Sequence, residues 1–169
     1  VYGGGSIKRT GVYDQVMAQL AGTQVWELGG VQPNPRLSLV REGIRLCHEH
    51  DIQLVLAVGG GSAIDTAKAV ANGACYDGDV WDLFDGKGRN TEVLPLGTVV
   101  TIPAAGSEMS DSCVITREED LCKRGRNTPL NFPKFSILNP EFTYTLPPFQ
   151  TACGVVDILS LIHISEPTR

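Results

Sequence analysis

The hydrophobic positions of this chain change period along its length, and these changes predict alternating helices and strands. Apolar residues recur at three- and four-residue steps in three segments, predicting amphipathic helices in residues 10–20, 37–50 and 62–72. Short apolar runs predict strands in residues 24–28, 53–58 and 94–102. Thr10 and Ser62 are candidate N-caps of their helices. Alternation of this kind is typical of an α/β fold with a largely parallel sheet.

The second half of the chain carries weaker signals. We expect a short helix at residues 81–84, strands at residues 111–116 and 135–138, and a further helix from about residue 149. Residues 117–127 are charged and predict a loop between strands. These expectations extend the same α/β pattern toward the C-terminus.

Two glycine runs stand where strands end. Gly3-Gly4-Gly5-Ser6 follows the apolar pair Val1-Tyr2, and Gly59-Gly60-Gly61-Ser62 follows the strand of residues 53–58 and leads into a helix. Glycine lets a backbone approach a ligand closely, and the first N–H groups of a helix attract phosphate. Because ligands of open parallel sheets bind at the carboxyl ends of strands, the two runs predict a dinucleotide site.

Composition excludes several other classes of protein. The 14 Lys and Arg residues face 19 Asp and Glu residues, a formal charge of −5, which disfavours nucleic acid as a partner. No apolar run reaches the roughly 18 residues of a membrane span. Five cysteines without a C-x-x-C pair indicate reduced thiols and a cytoplasmic protein. The sequence contains no G-x-G-x-x-G, no phosphate-binding G-x-x-x-x-G-K-[ST] and no G-x-S-x-G elbow.

Both ends of the chain indicate a piece of a longer protein. Val1-Tyr2 reads as the last two residues of a strand. Residues 159–169, LSLIHISEPTR, resemble the read-through translation of a sequencing-library adaptor, and we interpret them as a non-native tail. Residues 1–158 are then expected to form a dinucleotide-binding domain that is incomplete at both ends.

Seven motifs, in this order and spacing, resemble one enzyme family. They are GGGSIK at 3–8, PNP at 33–35, GGGSAIDTAK at 59–68, TIPAAGSE at 101–108, PKFSILNP at 133–140, YTLP at 144–147 and GVVD at 154–157. Together they resemble the N-terminal half of the group III metal-dependent, or iron-containing, alcohol dehydrogenases, with the NADP-linked butanol dehydrogenase branch nearest. The resemblance covers nearly all of residues 1–158. It implies a Rossmann-like domain followed by an all-helical domain that this chain lacks.

The resemblance also implies a role for individual residues, position by position. Gly60, Gly61 and Ser62 match the loop that holds the cofactor diphosphate. Further cofactor positions match at the adenosine ribose (Gly3, Gly4 and Ser6), beside the adenine (Asn34), in the cleft (Thr101 and Ser107), and at the nicotinamide ribose (Lys123, with Thr145 nearby). Local turn or cap bonding is the alternative role for each polar residue.

A metal site is implied in the same way. Asp157 matches one ligand of a divalent metal, Fe²⁺ or Zn²⁺, and the family pattern places a His four residues later, where this sequence has Leu161. The remaining ligands belong to the absent helical domain. The resemblance therefore implies a homodimeric enzyme that moves a hydride between a nicotinamide cofactor and a primary alcohol or aldehyde, whereas this chain alone is expected to be inactive.

Cofactor choice has a physical argument of its own. An acid at the first strand end would bind the ribose hydroxyls of NAD and repel a 2′-phosphate. Here Ser6, Lys8 and Arg9 follow the glycines and the next acid is Asp14, which predicts NADP(H) over NAD(H). Two alternatives stay open: a stand-alone nucleotide-binding module, and an enzyme of the glycerol dehydrogenase or dehydroquinate synthase type with the same architecture.

Overall fold

The computed structural model describes the backbone of residues 1–165 and the side chains of residues 1–162. Its helices are α1 (Ser6–Arg9), α2 (Val12–Gln19), α3 (Leu37–Glu49), α4 (Gly61–Gly73), α5 (Val80–Asp85) and α6 (Pro148–Ser165). Its strands are β1 (Val55–Gly59), β2 (Leu96–Val100), β3 (Ser112–Arg117), β4 (Cys122–Asn127) and β5 (Phe135–Ile137).

The main sheet is parallel. Its strand order is β1-β2-β5, with Val55 opposite Leu96 and Gly97 opposite Phe135. Tyr2 adds a parallel bridge to Val58 on the free side of β1. The predicted α/β fold with a parallel sheet and flanking helices is therefore confirmed.

Helices cover both faces of this sheet, which explains why β1 and β2 are apolar throughout. On one face α3 and α4 bury the larger core, including Leu37, Val40 and Ile64. On the other face Ile7 and Val12 pack against side chains of β1 and β2. Because β1, β2 and β5 run parallel, the loops that follow these strands lie at the same edge of the sheet.

The second, antiparallel sheet was not predicted. Strands β3 and β4 form a hairpin in which Ser112 pairs with Asn127 and Arg117 with Cys122. Residues 117–127 were expected to be a loop because β4 carries three cations. Those charges have partners elsewhere: Arg124 pairs with Asp85 at 3.1 Å, and Arg126 donates to Asn90 Oδ1 at 2.6 Å. Because β4 consists mostly of charged and polar residues, it lacks the alternation of apolar and polar residues from which strands are predicted.

Three local predictions were wrong. Thr10 ends α1 instead of starting α2, whose N-cap is Gly11. Gly60, not Ser62, is the N-cap of α4, because the helix starts one residue earlier than its apolar pattern. Residues 24–28 do not form a strand, although the carbonyl oxygen of Leu28 accepts a hydrogen bond from the Tyr2 amide at 3.0 Å.

The last helix passes through the predicted boundary at residue 158. Helix α6 runs without interruption to Ser165, and the end of the expected adaptor-derived tail, residues 166–169, lies outside the described residues. Within the part of the chain that the structure describes, no helix combines the length and apolarity that a membrane crossing requires.

Candidate cofactor site

The two glycine runs lie side by side. The parallel bridge between Tyr2 and Val58 puts Gly3 and Gly59 at the same carboxyl edge of the sheet. Gly5 has φ +97°, a left-handed conformation that favours glycine and turns the chain into α1. The sequence therefore correctly placed both runs at strand ends, and the fold brings them together.

The start of α4 is open to a ligand. Its N-cap Gly60 provides no side-chain cap, and the first N–H groups of an α-helix have no acceptor inside the helix. A Cβ placed on Gly61 would meet nothing within 4 Å, so open space lies beside the first residue of the helix. Free N–H groups, the positive end of the helix dipole and open space together suit a diphosphate.

A buried lysine forms the wall beside this opening. Lys68 is fully buried, and its Nζ donates to the carbonyl oxygens of Ser107, Ser110 and Ser112 at 2.7, 2.8 and 2.8 Å. The Ser107 hydroxyl donates to Asp65 Oδ1 at 2.7 Å. The predicted cleft residue Ser107 is thus 8% exposed and anchored to α4.

The carboxylate of Asp65 completes this wall. Burial raises the pKa of Asp65, and hydrogen bonds from Ser107 and from the Val114 amide, at 3.1 Å, oppose that rise. Burial also lowers the pKa of Lys68, against which the charge of Asp65 acts. Sequence reasoning quoted both residues within a motif but gave them no role. The signal was an acid and a lysine three residues apart on a helix with no other charged residue.

Two predicted residues at the sheet edge differ in their surroundings. The Thr101 amide donates to the carbonyl oxygen of Gly59 at 3.0 Å, so Thr101 directly adjoins the second glycine run. Thr145 is exposed and lines a small cavity of about 100 Å³ with Thr10 and Phe142.

Asn34 and Lys123 are in contact. The Lys123 Nζ donates to Asn34 Oδ1 at 2.8 Å, and Asn34 has φ +58°, which asparagine tolerates better than most residues. The family resemblance placed these residues at opposite ends of a cofactor. Their hydrogen bond brings the two side chains into direct contact at the surface.

Glu27 was missed entirely by the sequence reasoning. Its carboxylate accepts hydrogen bonds from the hydroxyls of Tyr2 and Tyr13, both at 2.7 Å, and from Lys8 Nζ at 3.4 Å. These hydrogen bonds, led by that of Tyr2, hold the pKa of Glu27 below its usual value. Glu27 contacts Tyr2, which precedes the first glycine run, although the two residues are 25 positions apart in the sequence. No local motif indicates this contact. Because its charge is already paired, it is poorly suited to bind ribose hydroxyls.

Comparison with known proteins decides the family. The sequence model described as iron-containing alcohol dehydrogenase matches residues 1–140. The chain belongs to this family.

Relatives of the iron-containing alcohol dehydrogenase family match almost the whole chain. A probable NADH-dependent butanol dehydrogenase of Bacillus subtilis is 54% identical over 98% of the chain and 43% of its own length. The NADPH-dependent aldehyde reductase YqhD of Escherichia coli is 40% identical over the same shares. The crystal structure of an NADH-dependent butanol dehydrogenase of Thermotoga maritima superposes with a TM-score of 0.93 at 48% identity, over 96% of this chain and 41% of that one. The chain therefore spans less than half the length of these relatives.

The described residues of this family member do not hold a metal by themselves. Asp157 is exposed on α6, and no group of three or more His, Cys, Asp or Glu side chains that could hold a metal ion occurs among residues 1–162. A single carboxylate cannot fix a divalent ion in a defined geometry. Asp157 therefore needs ligands from elsewhere to form the expected site.

Proposed function

We propose that this chain is the cofactor-binding part of a nicotinamide-dependent enzyme that interconverts a primary alcohol and an aldehyde. The observation that carries the proposal is the meeting of two glycine runs at one sheet edge, in front of the uncapped start of α4. Relatives with alcohol and aldehyde dehydrogenase names across nearly the whole chain support the same activity.

Each part of the site would bind one part of the dinucleotide. The N–H groups of Gly60, Gly61 and Ser62 would hold the diphosphate. The remaining residues would surround the sugars and rings, with Gly3, Gly4 and Ser6 at the adenosine ribose, Asn34 beside the adenine, Thr101 and Ser107 along the cleft, and Lys123 at the nicotinamide ribose with Thr145 nearby. The bound cofactor supplies the hydride, and the protein positions it.

We propose that Asp157 contributes one ligand to a divalent metal, Fe²⁺ or Zn²⁺, in the longer enzyme. The other ligands would come from a further domain, because residues 1–162 contain no group of three or more ligating side chains that could hold a metal. The isolated chain would then bind cofactor without turning over alcohol. The longer enzyme would act as a homodimer on small alcohols or aldehydes in the cytoplasm.

Gly61→Ala tests the diphosphate site. The added methyl would enter the open space before α4, so we expect dinucleotide affinity to fall about 10- to 100-fold, or about 1.4–2.7 kcal/mol. Cofactor fluorescence titration and thermal unfolding measure binding and stability separately. Gly125→Ala is the matched control, since its Cβ would make only ordinary contacts, 3.6 Å or longer, on β4. Unchanged binding by the Gly61 variant would count against this site.

We also propose that the site prefers NADP(H) over NAD(H), because the paired carboxylate of Glu27 leaves no free acid at the first glycine run. The relatives' names point both ways, NADH for the Bacillus protein and NADPH for the Escherichia protein. The preference therefore rests on charge alone.

Ser6→Asp should reverse this preference. Ser6 opens α1, where a carboxylate is compatible with the helix. It would repel a 2′-phosphate and accept hydrogen bonds from ribose, so we expect NADP⁺ affinity to fall about tenfold or more while NAD⁺ affinity holds or improves. Dissociation constants for both nucleotides measure this, with Ser6→Asn as the uncharged control. Equal losses for the two nucleotides would contradict the proposal.

A further inference from the structure

Three side chains enclose the ammonium of Lys8, a residue of α1. Lys8 Nζ lies over the ring of Tyr2, 5.0 Å from its centroid, and over the ring of Tyr13, 4.6 Å from its centroid. The two rings meet edge to face, with their centroids 6.2 Å apart. The Glu27 carboxylate lies 3.4 Å from the same Nζ. We call Tyr2, Tyr13 and Glu27 the Lys8 cage.

The members of the cage hold one another in place without Lys8. The hydroxyls of Tyr2 and Tyr13 each donate to a different oxygen of Glu27, both at 2.7 Å. A Cβ on Gly29 would lie 2.9 Å from the Tyr2 ring, so the lack of a side chain there lets this ring lie against the loop. Aromatic faces and a carboxylate both attract an ammonium ion. The cage is therefore a cation site that a lysine of the same chain fills.

The Lys8 cage adjoins the first glycine run on both sides in the sequence. Tyr2 directly precedes the run, and α1, which carries Lys8, begins directly after it. In the proposed function this run surrounds the adenosine ribose, so Lys8 is a cation close to that sugar. A phosphate on the ribose 2′-oxygen would attract the same ammonium that Glu27 and the two rings hold. The phosphate and the cage therefore compete for one charge.

We propose that the Lys8 cage tunes the cofactor specificity of this site by withholding Lys8 from a ribose 2′-phosphate. The inference rests on the proposed dinucleotide site, and it makes Glu27 a positioning residue, since Glu27 acts through Lys8. NAD carries only a hydroxyl at the 2′ position, which needs no cation. A change that loosens the cage should therefore raise the affinity for NADP and leave the affinity for NAD unchanged.

Direct repulsion between Glu27 and the phosphate is the competing explanation. The Glu27 side chain is partly exposed, and hydrogen bonds, led by that of Tyr2, keep its pKa below the usual value, so it carries its charge at neutral pH. Interactions with Tyr2 and Glu27 likewise raise the pKa of Lys8. Repulsion by Glu27 would act whether or not Lys8 is present, whereas withholding requires Lys8. The same substitution made with and without Lys8 separates the two explanations.

Glu27→Gln in the 169-residue chain tests the proposal. Glutamine can still hydrogen-bond to both tyrosine hydroxyls but carries no charge. Dissociation constants are measured for NADP⁺ and NAD⁺, and for adenosine 2′,5′-bisphosphate and adenosine 5′-monophosphate, which differ only in the 2′-phosphate. The two ligands with a 2′-phosphate should bind about three- to fivefold more tightly, the size of an exposed ion pair, and the other two should not change. In a Lys8→Met background the gain should shrink to about 1.5-fold or less.

Two further variants complete the test. Tyr13→Leu removes one ring of the cage and should raise the same two affinities. Glu49→Gln is the matched control, because it also breaks an exposed ion pair, the 2.6 Å contact with Arg45 on α3, and should alter none of the four dissociation constants. Thermal unfolding checks that each variant is folded, and Tyr13→Leu gives the decision if Glu27→Gln does not fold.

Three results would overturn the proposal. Weaker binding of the 2′-phosphate ligands to Glu27→Gln would mean that the cage presents Lys8 to the phosphate. An equal gain with and without Lys8 would mean direct repulsion by Glu27. An unmoved ratio between ligands with and without the 2′-phosphate would mean that the cage only supports the fold, and would leave the proposed dinucleotide site standing. If the parent chain binds neither dinucleotide, the proposed function fails and this inference fails with it.

Discussion

Lys68→Met is expected to lower the free energy of unfolding by about 3–5 kcal/mol, the loss typical of breaking a buried polar network. Methionine nearly matches the volume of lysine but donates no hydrogen bond. The carbonyl oxygens of Ser107, Ser110 and Ser112 would each lose their partner within a closed part of the fold. Asp65 would also keep a buried charge without its nearby cation.

Urea unfolding of the variant and the parent measures this difference. Lys134→Met is the matched control, because Lys134 is exposed and a similar change there should stay within about 0.5 kcal/mol. If the two variants proved equally stable, Lys68 would not hold the wall in the way described.

Stability of the free chain should rise with pH between about 6 and 8. Burial lowers the pKa of the Val1 ammonium from 8.0 to about 6. Between these values the unfolded chain binds more protons than the folded chain, so the folded state gains as protons are removed. The stabilisation is complete above pH 8 and is lost progressively as the pH falls from 8 to 6, a change of about 2.7 kcal/mol.

Denaturant unfolding at several pH values checks this, on protein whose first residue is verified as Val1. Acetylation of the N-terminus is the control, because an acetylated amine does not titrate. The difference between the two forms isolates the contribution of the Val1 amine from that of every other titrating group. An identical pH profile for both forms would show that the amine is not buried in solution.

Periodicity predicted the main layers of the fold because their buried faces pack against apolar neighbours. Helix α3 has apolar residues on the one face that is covered, and strand β1 is apolar throughout because both of its faces are covered. Strand β4 escaped prediction because Arg124 and Arg126 are neutralised by residues distant in sequence. A pattern read along the chain does not contain those partners.

The candidate site divides in the same way. Glycine runs at strand ends are local features, and their meeting follows from the rule that parallel strands share an edge. The contact between Asn34 and Lys123 depends on how the β3–β4 hairpin folds over the loop before α3, which no spacing encodes. The pairing of Glu27 with Tyr2 and Tyr13 likewise exists only in three dimensions.

The three hydrogen bonds from Lys68 to the carbonyl oxygens of residues 107–112 also lower the entropy cost of binding a ligand. This wall is fixed before a ligand arrives, so association orders few new groups there. Each flexible side chain immobilised on binding costs about 0.5–1.5 kcal/mol, and that cost falls on exposed residues such as Arg9 at the other rim. Preorganisation is therefore uneven across the opening. The α4 side is already ordered by hydrogen bonds, whereas the exposed side chains on the α1 side become ordered only when a ligand binds.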